Sequence, residues 1–157
     1  MTPTQIFENA PIGAIIAWSD NTPRPPDRFR NKLSSWKGRN SRGRLIRKEP
    51  GRTSGNYTSL PSFTLHETDL GGSDVVVIRI QRTFNIDSAL TFTVTEQPPP
   101  GSVRIFDRPG ERAELIHLAA NSDEAEAWLR THRYRGAVLD EVPQDIAATD
   151  VNEGRAA

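Results

Sequence analysis

Apolar and polar residues alternate most clearly in the middle of the chain. Phe63-Thr-Leu-His-Glu67 sets Phe63 and Leu65 on one side, and Leu90-Thr-Phe-Thr-Val-Thr-Glu96 repeats the pattern. This is the two-residue period of a half-buried strand. Between them, Val75 to Ile86 places Val76, Ile78, Ile80, Phe84 and Ile86 on one face and Arg79, Gln81 and Thr83 on the other. Gly71-Gly72 interrupts the chain and Pro98-Pro-Pro-Gly101 ends the run. Three consecutive strands joined by polar turns predict an antiparallel meander with one face buried and one wet.

Upstream, Ile12 to Trp18 reads as a buried strand, followed by turn residues from Ser19 to Pro26. The positive segment that precedes the apolar core of a signal peptide is replaced by Glu8, so the expected location is the cytosol. Pro25-Pro26-Asp27 suits a helix start, and Phe29, Leu33 and Trp36 then recur at helical spacing, with Gly38 as a stop. Asn40 to Gly43 reads as a loop, Arg44 to Lys48 as a short strand and Glu49 to Asn56 as a flexible loop.

Downstream, Val103 to Phe106 and Glu114 to Ala119 read as strands. Asn121-Ser-Asp-Glu124 has the form of a capping box, and the helix Asp123 to Arg133 that it opens turns Ala125, Trp128, Leu129 and His132 inward. Ala137 to Val142 returns as a strand, closing a βαβ-like unit. The fold class this predicts is α+β: a curved, mainly antiparallel sheet of about five to seven strands with two packed helices. Residues 1–142 read as a single domain and 143–157 as an acidic, flexible tail.

Composition removes several classes of function. Among 157 residues there is no cysteine, which excludes disulfides and cysteine zinc sites. No apolar run approaches the roughly 20 residues a membrane helix needs. The formal net charge is zero, which at first argues against a polyanionic partner. It is a cancellation. Residues 1–60 hold eleven Lys/Arg against four Asp/Glu, whereas residues 61–157 hold nine Arg against sixteen Asp/Glu. Such asymmetry points to an interaction surface.

The cations are concentrated between Arg24 and Arg52. Those on the first helix, Arg28, Arg30, Lys32 and Lys37, flank its apolar stripe, the arrangement of side chains snorkelling around a packed face. The stronger candidates are Arg39, Arg42, Arg44, Arg47, Lys48 and Arg52, with Tyr57 as a neighbouring aromatic. Arginine offers phosphate a planar fork of donors and a charge it cannot lose. Nucleic acid and an acidic protein surface are the two partners this segment suits. Arg82 breaks the apolar face of its strand. It is read as an anion site at the edge of the core, as half of an ion pair with an acid such as Asp107 or Glu114, or as turned outward by a bulge.

Catalytic signals are lacking. His66, His117 and His132 are not at metal-ligand spacing, and no nucleophile elbow or phosphate-binding glycine loop occurs. No catalytic residue, metal or cofactor is therefore assigned. The expectation is a small accessory protein in the style of bacteria or mobile elements, binding nucleic acid through its arginine-rich segment. The alternative is a protein-binding module or inhibitor docking that segment on an acidic partner. Pairing between the basic part of one copy and the acidic part of another would give a homo-oligomer.

Overall fold

The computed structural model describes residues 1–70 and 78–143, and its α+β class is the one the sequence predicts. Contacts gather in two compact units, Met1–Gln97 and Pro98–Ala157, a division that falls inside the span read from sequence as one domain. The boundary lies at Pro98-Pro-Pro-Gly101, where proline removes backbone donors and the meander was expected to end.

The first unit contains α1 (Pro3–Asn9), β1 (Ile15–Ser19), α2 (Arg30–Arg39), β2 (Ser41–Glu49), β3 (Arg52–Ser54), β4 (Tyr57–Ser59), β5 (Ser62–Leu70), β6 (Ile78–Asn85) and β7 (Thr91–Glu96). Five of the strands form one antiparallel sheet in the order β6-β5-β2-β1-β7. Its core face buries Ile16 and Trp18 of β1, Leu45 of β2, Phe63 and Leu65 of β5 and Phe92 of β7, with Ile6 and Ala10 packed against them from α1 and its end. The outermost strands are four steps apart, about 19 Å in a flat sheet. Yet the rings of Phe84 on β6 and Phe92 on β7 have centroids 5.2 Å apart. The sheet therefore curls until its edges share one aromatic cluster, without closing. Beside β7, the amino terminus donates to Phe92 O at 2.6 Å while Phe92 N donates to Met1 O, which occupies backbone groups of that edge.

Several sequence expectations change. The three-strand meander is corrected: β5 and β6 pair, but β7 crosses to the far side and pairs with β1. Alternation fixes which face a strand buries, not which strand lies beside it. α1 was not foreseen, although Thr2 and Gln5 form a capping box with Pro3 at the first turn. The helix expected from Pro25 begins at Arg30, and none of its residues is fully buried. Phe29 is exposed, and Trp36 is half-buried with its Nε1 donating to Thr22 O at 3.0 Å. Gly38 does not stop the helix; its carbonyl accepts from Trp18 Nε1 at 3.2 Å. The stretch read as a loop at Asn40 to Gly43 is largely the start of β2, and the loop at Glu49 to Asn56 holds β3, one arm of a hairpin with β4 that turns at Gly55, where φ is 61°. Val75 to Val77 and Gly71-Gly72 lie outside the described residues.

The second unit contains β8 (Val103–Phe106), β9 (Leu115–Ala119), α3 (Ser122–Thr131) and β10 (Val138–Glu141). Both β9 and β10 pair antiparallel to β8, in the order β10-β8-β9, so they run parallel to each other on either side of it. α3 connects them, which makes the expected βαβ-like unit a split one. Asn121 caps α3 by accepting from Glu124 N at 2.9 Å, while the Glu124 carboxylate reaches one residue further back, to Ala120 N. Val103, Ile105, Ala119 and Ala125 form the small core, and Trp128 and Leu129 pack against it half-buried. His132 is exposed, contrary to the inward position its spacing implied. Beyond Pro143, the tail lies outside the described residues.

Candidate nucleic-acid interface

β2 is the central strand of the five-stranded sheet, and its arginines lie on the face opposite the core. In register, Gly43 stands opposite Ile16 and Leu45 opposite Leu65, all buried. Arg42 stands opposite Ala17, and Arg44 opposite both Ile15 and His66. Strict alternation would send Arg47, three residues beyond Arg44, to the core side. A register shift between Leu45 and Arg47 leaves Ile46 unpaired and brings Arg47 opposite Thr64. One inserted residue restores the parity of everything after it. Arg42, Arg44 and Arg47 thus form a single row, about 7 Å between neighbours and about 14 Å in all.

The surroundings of the row are polar. Gln81, Thr83 and Arg79 of β6 fall on the same face, and Thr83 shares a hydrogen bond of 2.9 Å with Thr64. Arg42, Gln81, Thr83 and Thr93 are exposed, whereas Arg44 and Arg47 are half-buried. Arg44 donates from Nη1 to Gly13 O at 2.6 Å, which fixes the direction of its guanidinium. The Nε of Arg47 is enclosed without an acceptor. Among the described residues no carboxylate pairs with Arg42, Arg44 or Arg47, so the row keeps three uncompensated charges.

The other residues singled out in the sequence go elsewhere. The same bulge that aligns Arg47 puts Lys48 opposite Phe63, on the core side, where burial pushes its ammonium pKa down. Arg52 and Tyr57 belong to the β3–β4 hairpin; Arg52 lies 3.6 Å from Glu49, and Tyr57 is 70% exposed, free to touch a ligand but away from the row in register. Arg39, at the end of α2, donates to Asp20 at 2.7 Å. Arg82 stands on the core face opposite Leu65, as its strand pattern implied. Its partner is Glu67, which a second bulge leaves unpaired in β5 and which accepts from Arg82 Nε at 3.1 Å. The expected partners Asp107 and Glu114 are replaced: Asp107 accepts from Arg108 and from Glu114 N.

Asp20 is heavily hydrogen-bonded. It accepts from Thr22 Oγ1 at 2.6 Å and Thr22 N at 3.1 Å, from Arg39 Nε at 2.7 Å and from Asn40 Nδ2 at 2.9 Å. The Thr22 hydroxyl first, then Arg39 and Asn40, hold its carboxyl well below the usual carboxylate range. A lowered folded-state pKa stabilises the fold above the unfolded value, near 3.8, and that contribution is lost as pH falls from there toward the folded value. Asp20→Asn is therefore expected to melt lower than the parent at neutral pH, with the gap closing below about pH 4. Melting curves of both proteins across that range are the check, and a gap that stays constant on acidification would contradict it.

The described residues contain no group of three His, Asp or Glu side chains able to hold a metal ion. No helix among them is long and apolar enough to cross a membrane. The molecule is thus defined as an α+β protein with an arginine row aligned on the outer face of a curled antiparallel sheet. Its sequence matches, over residues 1–146, the family described as "Uncharacterised conserved protein UCP036055", and the chain belongs to that family. No curated protein and no solved structure matches it.

Proposed function

We propose that the protein is a non-catalytic, cytosolic accessory protein that binds nucleic acid by its phosphate backbone through Arg42, Arg44 and Arg47. The observation that supports this reading is the bulge at Ile46, which gathers three uncompensated guanidinium groups into one row. Guanidinium forks match phosphate oxygens, and a row of about 14 Å spans the axial rise of about four phosphates of one duplex strand. The groups directly across from the row on β5 and β6 are threonine, glutamine and histidine; the acids on the same face are Glu49, next along β2 and 3.6 Å from Arg52, and Glu96, opposite Ile15. Contacts of this kind position a backbone and carry little sequence information.

Binding of labelled duplex DNA at several salt concentrations tests the reading. Three phosphate contacts give a log–log slope near −2.7, so affinity falls roughly 40-fold between 50 and 200 mM salt. The triple variant Arg42→Ala, Arg44→Ala, Arg47→Ala is expected to bind at least about tenfold more weakly on every sequence, with a slope close to zero. Arg52→Ala should bind like the parent. An absence of binding at low salt, or a triple variant that binds normally, would overturn the proposal. Preferential binding of polyglutamate would replace it with an acidic protein partner.

A further inference from the structure

The second unit carries an arrangement of rings that its core does not require. The indole of Trp128 has His132 parallel to it at 4.2 Å and 4°, His117 at 4.8 Å and 7°, and Tyr134 at 5.9 Å and 10°. In the first unit's core the Phe63–Phe92 and Phe84–Phe92 contacts are near-perpendicular, at 78° and 75°, the edge-to-face packing that aromatic quadrupoles favour in interiors. Around Trp128 every ring lies flat to its neighbour. Trp128 anchors the set from α3, half-buried against the small core. His132 is held by Nδ1, at hydrogen-bonding distance from Trp128 O and Thr131 Oγ1. His132 and Tyr134 are exposed, the latter by 45%.

Charge at this place is opposite to that of the unit as a whole. Asp123 and Glu124 occupy the first turn of α3, while Arg130 is in its last turn and Arg133 and Arg135 follow. Along the helix axis Asp123 and Glu124 stand about 9–11 Å before Arg130, and the Glu124 carboxylate lies 3.7 Å from His117 Nε2. All three arginines are exposed, and among the described residues no carboxylate pairs with them. Flat exposed rings beside unpaired guanidinium groups are what an unpaired base and its flanking phosphates require.

We propose that Trp128, His132 and Tyr134 form a stacking platform for an unpaired nucleobase, with Arg130, Arg133 and Arg135 contacting the adjoining phosphates. The ligand is single-stranded nucleic acid. Because the rings are already parallel, a further flat ring joins them without rearrangement. Stacking accepts any base, so the site discriminates strand state rather than sequence. It lies in a different unit from the β2 arginines and does not depend on them.

The test compares the full-length protein's binding of a labelled oligothymidylate of about 12 nucleotides with that of an abasic strand carrying the same phosphates. The ordinary strand is expected to bind roughly five- to 150-fold tighter, the range for one stacked base. Tyr134→Ala should abolish the preference and Tyr134→Phe should keep it; Tyr134 is exposed, so the fold survives either change. The preference should also persist when Arg42, Arg44 and Arg47 are all changed to alanine, which separates this site from the sheet. Equal binding of the two strands at any affinity would overturn the proposal. So would a preference that survives Tyr134→Ala or vanishes with the sheet arginines alone.

Discussion

Trp18→Ala is expected to destabilise the protein by about 3–5 kcal/mol, the cost of deleting a fully enclosed large aromatic side chain. Trp18 is 1% exposed and sits on β1, paired on both sides, in the core that the curled sheet encloses. Its ring packs against Phe84 at 5.1 Å, and Phe84 in turn contacts Phe63 and Phe92, so one deletion empties the meeting point of β1, β5, β6 and β7. The indole N–H also donates to Gly38 O, tying the sheet to the end of α2. Losing that donor leaves a part-buried carbonyl unanswered, a further destabilising contribution. For a chain of this length the melting temperature should fall by roughly 6–20 °C. Trp18→Phe, which keeps a ring but not the donor, should fall between parent and alanine variant. A Trp18→Ala protein that melts within a degree or two of the parent would show that the aromatic cluster does not hold the sheet in its curl.

Part of this architecture was legible in the chain because it depends on local periodicity. Phe63 and Leu65, Phe84, and Phe92 and Val94 announce their buried face two residues at a time, and Asn121 announces a helix start by the donor it satisfies at Glu124. Strand order was not legible, since it depends on contacts between Ile15–Ser19 and Thr91–Glu96 across more than 70 residues. The arginine row was half legible. Clustered charge marked Arg39 to Arg52, but a single bulge at Ile46 decided that Arg47 joins Arg42 and Arg44 while Lys48 turns inward. Nothing in Leu-Ile-Arg-Lys distinguishes a bulge from regular strand. The ring cluster is obscured in the sequence for a different reason: the acidic total of residues 61–157 masks a basic run at Arg130, Arg133 and Arg135. Trp128 and His132 stand four apart on a helix, a spacing at which side chains meet, and that signal was available.

Gly43→Ala is expected to be as disruptive as a change of one methyl group can be, and it bears directly on the arginine row. Gly43 lies between Arg42 and Arg44 in the central strand, facing the core, with extended backbone that any residue can adopt. Its requirement is for space. A Cβ there would lie 2.9 Å from His66 O, 3.1 Å from His66 C and 3.1 Å from Leu65 Cβ. Two of those atoms are backbone of the neighbouring strand, so no side-chain rotation relieves the contact; β2 and β5 must separate or shift. Overpacking of this kind costs about 1–3 kcal/mol, and the upper end is expected where the obstacle is backbone. Gly43→Val adds two further methyl groups at the same place and should prevent folding or lower the melting temperature by more than the alanine change. Because His66 also faces Arg44 in register, the shift that accommodates the added methyl group moves the strand carrying Arg44 relative to its neighbour. Urea unfolding and duplex binding measured on Gly43→Ala therefore read the two consequences together. Loss of stability with weaker, less salt-dependent binding is the expected result. An alanine variant as stable as the parent would mean that β2 and β5 are not in close contact at Gly43.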